Sequence, residues 1–72
     1  MLKIIFTNGN YVLSNNGTSN IHSKLNSNSQ FIEIDVLQLD ENGKPTRSSV
    51  SMVINKNSIQ CYFYEEYNII GK

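Results

Sequence analysis

Residues 30–54 read QFIEIDVLQLDENGKPTRSSVSMVI, and this stretch decides the fold. Ile32, Ile34 and Val36 point one way and Glu33 and Asp35 the other, the two-residue period of a half-buried strand. A strand is expected over Gln30–Leu39. Its buried face switches near the end, because Leu37 and Leu39 fall on the side of the acids. A strand of that kind is long, bent or bulged, and can serve two halves of a barrel. Asp40-Glu41-Asn42-Gly43-Lys44-Pro45 reverses the chain, with an Asn-Gly hairpin signal at its centre. Ser48–Ile54 is the return strand, with Val50, Met52 and Ile54 inward and Ser49 and Ser51 outward.

Upstream, Leu2–Thr7 alternates in the same way. Asn8-Gly9 follows, and Asn10–Leu13 resumes the extended pattern. Asn-Gly tolerates the positive φ angles of a type I′ turn, so residues 2–13 read as a hairpin. Between the hairpins, Ser14–Gln30 holds five Ser and five Asn in seventeen residues. Such side chains bond to nearby backbone and compete with regular structure. A long polar loop is expected over about 14–30. Ile21 and Leu25, spaced i,i+4, leave room for one short helical turn. Downstream, Asn55-Lys56-Asn57-Ser58 is a corner and Ile59–Glu65 the last strand. Its alternation places Ile59, Cys61 and Phe63 on the core side, with Gln60, Tyr62 and Tyr64 outside. Glu66–Lys72 is a tail whose Ile69 and Ile70 can cover a core edge.

Val50-Ser51-Met52-Val53-Ile54-Asn55, then Lys56-Asn57-Ser58 and Ile59, resembles the corner between the fourth and fifth strands of small SH3-like and Sm-like barrels. The resemblance covers roughly the last third of the chain. It implies an all-β fold, a five-stranded SH3-like/Sm-like open barrel or strongly bent antiparallel sheet, as a single domain over residues 1–72. Sm-type rings bind uridine-rich RNA through Asp-x-Phe-x-x-Asn and a later Arg-Gly. Neither occurs here, so that activity does not carry over.

Composition narrows the function classes. A chain of 72 residues buries only about 60% of the surface its unfolded form exposes. With one cysteine and one histidine, neither an intrachain disulfide nor a four-ligand Cys/His zinc site can form. Six basic and six acidic residues cancel. They form a mosaic: Lys3 and Lys24 early, then Glu33, Asp35, Asp40 and Glu41, then Lys44, Arg47 and Lys56, then Glu65 and Glu66. A neutral chain with one Arg is a poor start for phosphate binding. No apolar run approaches the roughly eighteen residues of a membrane span, and the first residues are too soon interrupted for a signal peptide. The lone thiol adds to an expectation of a cytoplasmic protein. Asn16-Gly17-Thr18 matches a glycosylation sequon by chance in that setting. Ala and Trp are absent, whereas Ile (nine) and Asn (eleven) abound. That bias favours strands and suits an AT-rich source such as a low-GC bacterium or its phages.

No cluster supplies nucleophile, base and stabiliser together, so no enzyme and no cofactor are expected. His22 lies in the polar tract and reads as an exposed loop residue. Cys61 alternates with Ile59 and Phe63 and reads as a small core residue rather than a thiolate. Glu33 and Asp35 read as a solvated strand face. Asp40-x-Asn42 opens like a calcium-binding EF-hand loop, but the spacing fails after Gly43 and the twelfth-position Glu is missing. Most Asn residues fall at expected turns. The candidate binding residues are Tyr62, Tyr64 and Tyr67, next to Glu65 and Glu66, which repel phosphate; the alternative is a sheet curled so that both faces are partly covered and the tyrosines simply pack. They point to a non-catalytic protein-binding module, an inhibitor or adaptor of a host protein such as small phage or mobile-element accessory proteins supply. Homo-oligomerisation through sheet edges is expected alongside. Two alternatives are a small virion or assembly component, and a single-stranded nucleic-acid binder. The latter would stack bases on the tyrosines and hold phosphates with Lys44, Arg47 and Lys56.

Overall fold

The structure, a computed structural model, describes residues 1–65. Tyr67, Ile69 and Ile70 lie outside the described residues. The elements are β1 (Leu2–Phe6), β2 (Tyr11–Ser14), α1 (Thr18–Leu25), β3 (Phe31–Leu39), β4 (Pro45–Asn55), a 3₁₀ turn at Lys56–Ser58 and β5 (Ile59–Tyr64). The five strands form one sheet in the order β4-β3-β2-β1-β5. Every pairing is antiparallel. The sheet stays open, with β4 and β5 as its edges. The fourth strand starts at Pro45, before the expected Ser48. Proline is tolerated as the first residue of an edge strand, where its missing N–H costs no ladder bond.

Both Asn-Gly hairpins close with three-residue loops. Phe6 N donates to Asn10 O at 2.8 Å and Gly9 N to Phe6 O at 2.9 Å. Asp40 N likewise donates to Lys44 O, and Gly43 N to Asp40 O. Gly9 and Gly43 sit at φ +90° and +81°, and among the described residues no non-glycine has positive φ. The expected type I′ turn is therefore corrected: it needs two successive positive φ angles, whereas this loop needs one, at the glycine. The first Asn-Gly and the Asp40 turn are each braced locally. Asn8 Oδ1 accepts from Asn10 N, and Asp40 Oδ1 accepts from Asn42 N and Lys44 N.

The polar tract corrects the expectation of a loop. Thr18–Leu25 is an α-helix of eight residues, with Ile21 fully buried and Leu25 packed against the core. A helix this short is unstable alone, so tertiary contacts must hold it. At its start, Asn16 Oδ1 accepts from the Ser14 hydroxyl at 2.8 Å and from Asp35 N at 3.0 Å. Asn16 Nδ2 donates to Asn20 Oδ1 at 2.9 Å. At its end, Lys56 Nζ donates to Leu25 O at 3.1 Å and to Ser27 O at 2.6 Å. A cation there meets the unpaired carbonyls and the negative end of the helix dipole. Lys56 is thereby committed to structure.

The core is one cluster of Leu2, Ile4, Ile21, Ile32, Ile34, Val36 and Ile54, joined at its margin by Phe6, Val12, Leu25, Ile59 and Tyr62. Ser14 is the buried polar residue, and its hydroxyl is bonded to Asn16. Val50 and Met52 share the core side by register, opposite Val36 and Ile34, yet both are exposed. This corrects their inward assignment. A strand's alternation says which face a side chain takes, and the position of α1 decides whether that face is covered. Leu13, Leu37 and Pro45 are buried outside the main cluster. The switch of face in β3 is thus real, and Val36 and Leu37 are buried in succession. It coincides with a register shift, where Leu37 pairs Ser49 but Leu39 pairs Pro45. Extra residues on β4 bend that ladder.

Candidate binding face

β5 carries the largest departure from alternation. Phe6 pairs Ile59, while Ile5 pairs Cys61. Gln60 is therefore an extra residue, and a bulge of one residue exchanges the faces of everything beyond it. Ile59 remains beside Phe6 at the core margin. Tyr62 and Tyr64 pair Ile4 and Leu2 and share their face, whereas Cys61 and Phe63 pair Ile5 and Lys3 on the opposite face. Three expectations are corrected. Cys61 is exposed rather than a core residue. Phe63 is exposed too. Tyr62 is half-buried against the core, with its hydroxyl 3.3 Å from His22 Nδ1. Tyr64 shares the core side but lies 65% exposed on the edge strand.

The pairing registers stand on both sides of Gln60 without needing it. Deleting Gln60 is expected to leave Ile59 and Tyr62 inward and Cys61 outward, at a cost of about 1 kcal/mol or less, since surface changes are usually that small. Urea unfolding of the deletion variant checks this. Loss of the cooperative transition would contradict the bulge.

The site is the outer face of β5, β1 and β2, to which the bulge brings Cys61 and Phe63. One row across the three strands is Tyr11, Ile5 and Cys61; the next is Leu13, Lys3 and Phe63. Tyr11 is 43% and Phe63 41% exposed. Lys3 Nζ stands 4.3 Å from the centroid of the Tyr11 ring and 3.8 Å from Glu65 Oε2. A cation over an exposed aromatic face contributes roughly 0.5–1 kcal/mol. An open depression of about 530 Å³ adjoins Tyr11, lined by Phe6, Asn8–Val12 and Leu39. Tyr11 and Ile5 were missed by sequence reasoning. The Asn8-Gly9 hairpin could have found them, since a three-residue loop sets Tyr11 opposite Ile5.

The other candidate residues are scattered. Lys44 and Arg47 belong to the β3–β4 hairpin, at the opposite edge of the sheet from Tyr64. Lys56 is occupied by the helix carbonyls. His22 is on α1 and bonds to Tyr62, whereas Cys61 turns to the other face of β5, so they form no catalytic pair. Glu33 accepts from the Ser51 hydroxyl at 2.6 Å. Among the described residues no group of three or more His, Cys, Asp or Glu converges as a metal site, and no helix is long and apolar enough to cross a membrane. No family model matches the chain, and neither the curated proteins nor the solved structures yield a match.

Proposed function

We propose that this chain is a non-catalytic protein-binding module that captures its partner on the outer face of β5, β1 and β2. The observation that carries the reading is the exposure of Tyr11, Cys61 and Phe63 on one face of adjacent strands. Aromatic side chains dominate protein interfaces because they bury much area at little entropy cost. Lys3, held between Tyr11 and Glu65, sits at the centre of the patch, so the apolar rings are what it offers a partner. Tyr62 packs on the core margin and is left out of this surface, and Tyr64 shares its side of β5 at the sheet edge. The strand order and the 3₁₀ corner between β4 and β5 support a relationship to the small SH3-like barrels, here with the sheet left open. Inhibition or adaptation of another protein needs only such a surface.

A nucleic-acid reading is less well supported. Lys44 and Arg47 stand at the far edge from Tyr64, and Glu65 follows Tyr64 directly. Tyr11→Ser combined with Phe63→Ser is expected to leave circular dichroism and the unfolding midpoint near those of the parent. The double variant should lose the proteins that the parent retains from source-cell extract. Equal retention by both would overturn the assignment of this face.

A further inference from the structure

The other edge of the sheet points to a different contact. From Ser48 to Asn55, β4 carries no charge and no proline. Natural edge strands are usually guarded by Lys, Pro or inward-pointing charge, because an unguarded edge templates pairing. Val50 and Met52 are exposed on the α1 side, and Val53, paired with Glu33, is 65% exposed on the other. Arg47 stands near the start of the strand. Among the described residues its guanidinium makes no hydrogen bond or ion pair. Glu33 spends one oxygen on Ser51.

We propose that two copies of this chain pair β4 to β4, antiparallel about a two-fold axis at Val50, so that two five-stranded sheets become one. Charge complementarity selects a second copy and this register. With Val50 opposite the partner's Val50, the bulged stretch that carries Arg47 lies beside the partner's Val53, and the partner's Glu33 is next in that row. Two strand spacings put Arg47 and that Glu33 about 10 Å apart at Cα, within reach of their side chains. The symmetry makes the pair twice. The Arg47 stem covers the exposed Val53. Asp35 pairs Ser51, next to the axis. It stays about three strand spacings from its own copy across the dimer, roughly 14 Å, beyond the screening length at physiological salt. The two α1 helices stand clear of each other, because the core side of each β4 is uncovered at Val50 and Met52, next to the axis. This contact uses the edge opposite the aromatic face, so it stands or falls separately from partner capture.

Sedimentation equilibrium of the full chain under reducing conditions tests it. The expected result is a dimer that dissociates on dilution. Val50→Lys sets two ammonium groups across the axis and should raise the dissociation constant by roughly tenfold or more, with circular dichroism unchanged. Arg47→Glu and Glu33→Arg should each weaken the dimer, and the two together should restore it. A monomer at every concentration up to millimolar overturns the proposal. So does a dimer indifferent to Val50→Lys, or a doubly reversed chain no tighter than the single variants. A monomer that binds an extended peptide along β4 would assign the edge to another partner and overturn it as well.

Discussion

Ile21→Asp is expected to leave no cooperative unfolding transition in water. A chain of 72 residues has a stability of about 4–11 kcal/mol, at roughly 0.05–0.15 kcal/mol per residue. Losing a buried aliphatic side chain costs about 2–5 kcal/mol. Ile21 is fully buried among Leu2, Ile4, Ile32, Ile34, Val36 and Ile54, with no basic residue in that cluster to pair a carboxylate. An unpaired buried charge adds several kcal/mol more, even after relaxation. The sum is of the same size as the stability itself. Ile21→Ala should retain a transition, shifted downward by the aliphatic loss alone. The comparison separates α1 as a structural element from α1 as a decoration. If Ile21→Asp unfolds at the parent's urea midpoint, the helix does not seal the core.

Leu37→Ala is expected to cost about 2–4 kcal/mol and Leu39→Ala less than about 1 kcal/mol. Both side chains follow the acidic face of β3 by alternation, and a reading of hydrophobicity alone treats them alike. Leu37 is 2% exposed and Leu39 41% exposed. The register shift opposite them separates their fates, since it bends β4 at Pro45–Ser49 against the end of β3. Paired urea titrations of the two variants check this. Equal costs would mean that the sheet does not bend there and that its outer side is uniformly solvated.

What the sequence disclosed was local. The alternation of Ile32, Ile34 and Val36 fixed β3. The two Asn-Gly pairs at 8–9 and 42–43 located both hairpins, although not their turn type. The helix was legible only as one turn at Ile21 and Leu25, because its supports are distant: Ile21 needs the strands beneath it, and Lys56 caps carbonyls 31 and 29 residues earlier in the chain. Edge exposure escaped because the beat of Val50, Met52 and Ile54 is the same whether or not a helix lies above it. The β5 half of the candidate face escaped for a single cause. Gln60 gives no local sign that it is an extra residue, and one extra residue reverses Cys61, Tyr62, Phe63 and Tyr64 together. The proposed contact surface uses Phe63 and Tyr11 where alternation alone points to Tyr62.

The reversal at Gln60 is the claim on which the binding face rests, and the thiol of Cys61 reports it directly. Cys61 is the sole cysteine of the chain, so a thiol reagent such as dithionitrobenzoate reads one position. On the folded protein the expected rate lies within about tenfold of the rate in urea, because an outward thiol needs no opening to react. A thiol slowed by several orders of magnitude, and reacting only as the chain unfolds, would place Cys61 in the core and remove the face built around it.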